Sequence, residues 1–171
     1  MINYRTAIKY LDITTPFTIK PSNPDRGEFD PAEFSDYTLI TFTGGVSFNK
    51  AQLDAVWLTI LKTECKVEID LRTQELILGG FAFNGKLFSL SSNAQMNWTA
   101  LNSVRDALTY PQAVSTSDDG EYQFADAIEL NAFAMTALGT AGFHYSSGRT
   151  LKVSIDAAVD EVAINAIIDT R

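Results

Sequence analysis

The stretch Asp70-Leu-Arg-Thr-Gln-Glu-Leu-Ile-Leu-Gly-Gly-Phe-Ala-Phe-Asn-Gly-Lys-Leu-Phe-Ser-Leu-Ser-Ser-Asn-Ala-Gln-Met-Asn-Trp98 encodes three local structures in succession. Asn84-Gly85 lies between Phe81/Phe83 and Leu87/Phe88, with Leu90 just beyond. A type I′ turn needs positive φ at both central residues, and Asn-Gly tolerates that best, so the segment predicts a tight hairpin. Gly79-Gly80 terminates whatever helix precedes it. Ser92-x-x-Gln95 has the form of a capping box and opens the next helix.

Upstream, Leu53, Trp57 and Ile60 recur at helical spacing, and Val67, Leu71 and Leu78 extend the face past the polar Glu64 and Gln74. The pattern predicts one helix of about eight turns from an Asn49 N-cap to the glycine pair. Val67, Ile69 and Leu71 also alternate as a strand would. No turn residue interrupts Lys62–Lys66 or Arg72–Glu75, however, and helix is preferred.

Downstream, Ala94, Trp98, Leu101, Val104 and Leu108 form a helical face, with Pro111 beyond it. A second hairpin is expected from Ala113–Thr116 and Glu121–Phe124 around Ser117-Asp-Asp-Gly120. Asp126 caps a further helix faced by Leu130, Phe133, Ala134, Ala137, Leu138 and Ala141. Gly139 and Gly142 weaken its end, and Ser146-Ser147-Gly148 is expected to break it. A last helix is expected over Ile155–Ile168, faced by Val159, Val162, Ala166 and Ile167. The fold class is therefore α+β, with helices packed on two small β-hairpins.

The N-terminal part differs in character. Ile2, Tyr4, Ala7, Ile8 and Leu11 predict a short first helix. Four of the five prolines fall between Pro16 and Pro31, which forbids a helix interior or central strand and predicts an extended arm. Tyr37–Thr43 is β-branched and aromatic and reads as a strand ending at Gly44-Gly45. The expected division is an extended and β docking arm over 1–48 and an α+β module over 49–171. The arm's aromatics Phe17, Phe29, Phe34 and Tyr37 need cover and are the candidate partner contacts. Region 16–48 is either a docking element or a β-rich edge of the same domain. No convincing internal repeat is present.

A chain of 171 residues buries a substantial core as one domain, or as one domain with an arm. With 13 basic residues scattered among 21 acidic ones, the net charge of −8 argues against nucleic-acid binding. Apolar runs stay short of the ~18 residues a membrane span needs, and no secretory signal pattern opens the chain. Cys65 is the single cysteine, which excludes an internal disulfide and fits synthesis in a reducing cytoplasm.

Chemistry-bearing patterns are sparse. His144, Ser146, Ser147 and Asp156 can be written as a triad, but no Gly-x-Ser-x-Gly elbow presents a serine. One His and one Cys do not make a metal site, and no cofactor is expected. Asp118-Asp119-Gly120-Glu121 lacks the alternating ligands and distal Glu of a calcium loop and reads as a turn. The glycine pairs match no phosphate-binding pattern. Cys65 stands between Lys62 and Lys66, with an inert thiol as the plainer reading. Arg149 and Lys152 read as solvated charges. Tyr110, Tyr122 and Trp98 are aromatics of a kind that carbohydrate sites use, with Trp98 placed on an apolar helix face.

Arg72-Thr-x-Glu75-Leu-Ile, Gly80-Phe-x-Phe83-x-Gly85-x-x-Phe88-Ser-Leu-Ser, Ala94-Gln95-x-Asn97-Trp98 and Ser147-Gly148-Arg149-x-Leu151-Lys152 resemble, in that order, a family of tailed-bacteriophage and prophage proteins. That family is a domain of unknown function often encoded near tail-fibre and baseplate genes. The resemblance covers roughly residues 65–168 and brings no catalytic residues. It implies a non-enzymatic structural component of a virion, in the tail, baseplate or tail-fibre attachment region. Synthesis in the bacterial host cytoplasm, other tail proteins as partners and many copies in a symmetric assembly follow from it. Neither nucleic acid nor membrane is expected as a partner. Two alternatives accompany it: a tail-fibre assembly chaperone absent from the mature particle, and an accessory enzyme or binder directed at host wall or glycan.

Overall fold

A computed structural model describes residues 3–11, 17–19, 37–43 and 47–171. Its architecture is α+β: helices accompanied by small two-stranded antiparallel ladders. Two compact units are present, one formed by 1–66 with 154–171 and the other by 67–153. The division falls inside two long helices, after Lys66 and after Val153.

In the first unit, helix α1 (Tyr4–Leu11) buries Tyr4, Ala7 and Ile8 against Leu53 of helix α2 (Lys50–Leu78). The spacing of three and one on α1 places those residues on a single stripe. Strand β1 (Phe17–Ile19) pairs antiparallel with β2 (Ile40–Phe42), Phe17 opposite Phe42. The expected strand over Tyr37–Thr43 is shorter than predicted, because Tyr37–Leu39 forms a 3-10 turn. That turn carries the Tyr37 ring edge-on to Tyr4 at 5.8 Å and its hydroxyl to the Phe48 carbonyl at 2.6 Å.

Helix α2 begins with a reciprocal cap. The Asn49 side chain accepts from the Gln52 N–H, and Gln52 Oε1 accepts from the Asn49 N–H, each at 2.9 Å. It runs unbroken to Leu78, as the periodicity predicts. The predicted face does not hold over its second half: Val67, Leu71 and Leu78 are each more than half exposed, while Ile69, Thr73 and Ile77 are buried. Covered positions from Leu61 onward advance in steps of four, through Cys65 to Ile77. Each such step overshoots a full turn by about 40°, so the covered stripe winds around the helix and leaves a straight extrapolation behind.

The second unit is built on the opening stretch. Gly80 takes φ +76° and ends α2, with the Gly80 N–H bonded to the Ile77 carbonyl. Strands β3 (Phe81–Phe83) and β4 (Lys86–Phe88) pair Phe81 with Phe88 around Asn84 (φ 47°) and Gly85 (φ 77°), the geometry a type I′ turn requires. Helix α3 (Ser92–Ser103) is capped one residue earlier than expected, by Ser91, whose hydroxyl accepts from the Ala94 N–H. Gln95 donates to the Leu90 carbonyl instead of completing the box. Because α3 stops at Ser103, Val104 falls off the predicted apolar face and is exposed.

Strands β5 (Gln112–Ser115) and β6 (Glu121–Phe124) form the second predicted hairpin, with Asp119 at φ 59°. The Ser117 N–H donates to the Leu87 carbonyl and ties this hairpin to β4. Phe133, on helix α4 (Ala127–Ala157), lies at the centre of the aromatic core, with ring centroids 4.7–5.3 Å from Phe81, Phe83, Phe88, Trp98 and Phe124. Burying each such ring contributes roughly 1.5–3 kcal/mol.

The expected break at Ser146-Ser147-Gly148 does not occur: α4 continues to Ala157. The expected Ile155–Ile168 helix is also absent, since Ile155 belongs to α4 and only α5 (Glu161–Asn165), capped by Asp160, follows. Three glycines at roughly 1 kcal/mol each are outweighed by burial along the inner stripe Leu130, Ala134, Ala137, Ala141, Gly148 and Ile155. The Ser146, Ser147 and Thr150 hydroxyls donate back to the Phe143, His144 and Ser146 carbonyls and so do not divert the backbone into a turn. Helices α2 and α4 run antiparallel. Asp70 pairs with Lys152 at 2.6 Å in the second unit, and Lys66 pairs with Asp156 at 2.8 Å in the first.

Candidate interaction surfaces

Helix α4 presents two faces of opposite fate. The inner stripe is covered, whereas Ile128, Met135, Tyr145 and Val153 on one outer sector each keep more than half of their surface exposed, as does Phe143 on the flank beyond them. Gly139 and Gly142 lie on the same outer side, and a β-carbon added to either would meet nothing within 4 Å. From Leu130 to Ile155 the helix carries no acidic residue, in a chain with 21 of them. An exposed, largely apolar surface that carries Arg149 and no carboxylate over this span is suited to contact with another protein.

Beside it, a shallow groove of about 460 Å³ runs along α3, lined by Met96, Ala100 and Leu138 among hydroxyl residues. The Thr99 and Ser103 hydroxyls are donated to the Gln95 and Ala100 carbonyls. The groove therefore offers shape and apolar contact rather than directional chemistry.

In the first unit a cleft of about 370 Å³ is bounded by Asp54, Trp57, Leu58, Val159, Asp160 and Glu161. Its polar groups are already engaged. Asp54 accepts from the Tyr4 hydroxyl at 2.7 Å and pairs with Lys50 at 2.6 Å, and the Trp57 indole N–H donates to Glu161 at 3.3 Å. Burial first, and then the hydrogen bond to Asp54, push the Tyr4 hydroxyl pKa up.

The second unit also holds a polar cluster joining both hairpins to α4. Asn84 Nδ2 donates to the Tyr122 hydroxyl oxygen at 2.7 Å and to Glu129 at 3.0 Å, and the Tyr122 hydroxyl donates to Glu129. Glu129 also accepts from the Ala125 N–H at 2.8 Å. The Tyr122 bond is the main reason the Glu129 carboxyl titrates below the usual glutamate range, while burial, followed by Glu129, raises Tyr122. These bonds tie a turn residue of the first hairpin and a strand residue of the second to the first turn of α4, so the cluster acts as a latch.

Residues singled out from the sequence fare unevenly. Phe17 and Tyr37 are partly buried against the chain's own Tyr4–Leu53 core; Phe29 and Phe34 lie outside the described residues. His144, Ser146, Ser147 and Asp156 are not brought together. Both serine hydroxyls serve the helix backbone, and Asp156 holds Lys66. Among the described residues no group of three or more His, Cys, Asp or Glu is placed to hold a metal. Asp118 accepts from the Thr116 hydroxyl, which holds its pKa down, and from the Gly120 N–H, as a turn residue does. Lys152 is engaged by Asp70, and Cys65 is half-buried in α2.

The aromatics considered for glycans are committed to the fold. The Trp98 indole donates to the Ser89 carbonyl at 3.1 Å and the Tyr110 hydroxyl to the Arg105 carbonyl at 2.9 Å. No family model, curated protein or solved structure matches this chain. The outer face of α4 keeps Ile128, Met135, Tyr145 and Val153 exposed. Its signal was present as Met135-x-x-Leu138-x-x-x-Gly142-x-x-Tyr145, a second seven-residue stripe on a helix that sequence reading cuts short.

Proposed function

We propose that this chain is a non-enzymatic structural component acting through protein–protein contacts, built into the tail, baseplate or tail-fibre attachment region of a bacteriophage particle. One observation carries the contact role: α4 spans 31 residues and leaves large apolar side chains exposed beside the α3 groove, with no acidic residue between Leu130 and Ile155. Exposed apolar faces of this kind mark interaction sites. The inward commitment of Trp98, Tyr110, Tyr122 and the α4 serines supports the same reading over catalysis or glycan binding. The phage setting rests on the resemblance of residues 65–168.

Quantitative mass spectrometry of purified particles from a genome carrying this gene is the test. The reading expects the chain at a fixed ratio to a major tail protein. A chain present during assembly but missing from finished particles would instead place it among assembly chaperones.

A further inference from the structure

We propose that Asn84 is a self-modifying residue, converted through its neighbour Gly85 to aspartate or isoaspartate, and that this conversion releases both hairpins from α4. Asn84-Gly85 is the one Asn-Gly pair in the chain. Both residues are exposed, and a β-carbon on Gly85 would meet nothing within 4 Å, so the peptide between them is open to water. The ladder ends at the Phe83–Lys86 pair, which leaves the Gly85 N–H outside the strand bonds. The Asn84 amide itself has a structural task. Its Nδ2 donates to the Tyr122 hydroxyl oxygen at 2.7 Å and to Glu129 at 3.0 Å.

The reaction needs only water. The Gly85 nitrogen attacks Asn84 Cγ; the N–Cγ bond forms, the Cγ–Nδ2 bond breaks, and ammonia leaves with the proton given up by Gly85. Water then opens the five-membered imide at one of its two carbonyls. Opening at Cγ yields aspartate, and opening at the Asn84 backbone carbonyl yields isoaspartate, with the chain running on through Cγ. One water enters for each ammonia lost, and nothing is oxidised or reduced. A side chain on the following residue would crowd the attacking nitrogen, and glycine has none.

Either product undoes the latch. Aspartate has no N–H to donate, and its carboxylate would stand against Glu129 with one Tyr122 proton between two acceptors. Isoaspartate adds a backbone carbon to the two-residue turn that sets Phe81 opposite Phe88. The latch in turn governs the rate. Ring closure requires Cγ to swing from Tyr122 and Glu129 toward the Gly85 nitrogen, so those bonds must open first.

Incubation of the full chain in mildly alkaline buffer made with heavy-oxygen water, followed by peptide mass spectrometry, tests this. The comparator is Asn93, an exposed asparagine followed by alanine. Expected is conversion at Asn84 ahead of Asn93, to a mixture of aspartate and isoaspartate that carries oxygen from the water. Tyr122→Phe keeps the ring and loses the hydroxyl, and should speed the conversion about three- to tenfold, the effect of one hydrogen bond lost from the closed state. Asn84→Asp, which imitates one product, should melt about 2–4 °C below the unaltered chain. Conversion at Asn84 no faster than at Asn93 would overturn the site. Aspartate without isoaspartate would mean direct hydrolysis and overturn attack by Gly85. Equal rates in Tyr122→Phe and the unaltered chain would overturn control by the latch, and an Asn84→Asp chain that melts with the unaltered one would overturn the release.

Discussion

Gly80 packs against Phe88 so closely that a β-carbon on Gly80 would stand 2.2 Å from the Phe88 carbonyl oxygen, and its φ of +76° is one that side chains disfavour. Gly85 shares the second property, at φ +77°, but has nothing within 4 Å. The pair therefore separates backbone strain from collision. Denaturant unfolding of Gly85→Ala should show a loss of about 1 kcal/mol. Gly80→Ala should lose roughly 2–4 kcal/mol, because the hairpin must also move away from the end of α2. Equal losses at the two sites would contradict the close approach.

Phe133 joins both hairpins and α3 through one ring. Truncation to alanine should cost about 3–5 kcal/mol, and leucine less, because part of the volume is kept. The same comparison at exposed Phe143 should change the stability of the separated chain by under about 0.5 kcal/mol.

Asp126 Oδ1 accepts from the N–H groups of Ile128 and Glu129, each at 2.9 Å. Asp126→Ala leaves both donors to water and should cost about 1 kcal/mol, within a range of roughly 0.5–2 kcal/mol. Asp126→Asn, which keeps the acceptor, should recover most of that loss.

The Glu129 latch makes an acid-side prediction. Its pKa is lower in the folded chain than in the unfolded one, chiefly through the Tyr122 hydroxyl, so the unfolded state binds the proton first. The contribution is complete above the ordinary glutamate pKa and fades as pH falls through the lowered value. Stability measured across that window should decline less steeply in Tyr122→Phe than in the unaltered chain. An unchanged slope would show that the bond does not hold the carboxylate.

The parts legible in the sequence were those set by local chemistry. Asn84-Gly85 specified its turn, Asn49 and Asp126 their caps, and Gly79-Gly80 the stop of α2. What could not be read there depended on packing between distant segments. Gly148 looks like a breaker until burial on the inner stripe of α4 outweighs its propensity. Val67 and Leu71 look buried until the covered stripe of α2 winds away from them. The same error concealed the candidate surface: a helix ended at Ser146 has no outer stripe reaching Arg149 and Val153. Of the arm's aromatics, the two that are described, Phe17 and Tyr37, are partly buried against the chain's own core.

The most direct measurement is the copy number per particle of the unaltered chain and of Met135→Glu, produced in parallel and counted by quantitative mass spectrometry. Met135 is exposed on α4, so the variant should fold and melt as the unaltered chain does. The account predicts a fixed stoichiometry for the unaltered chain and strong depletion of the variant. Equal incorporation of both would contradict a structural role played through the outer face of α4.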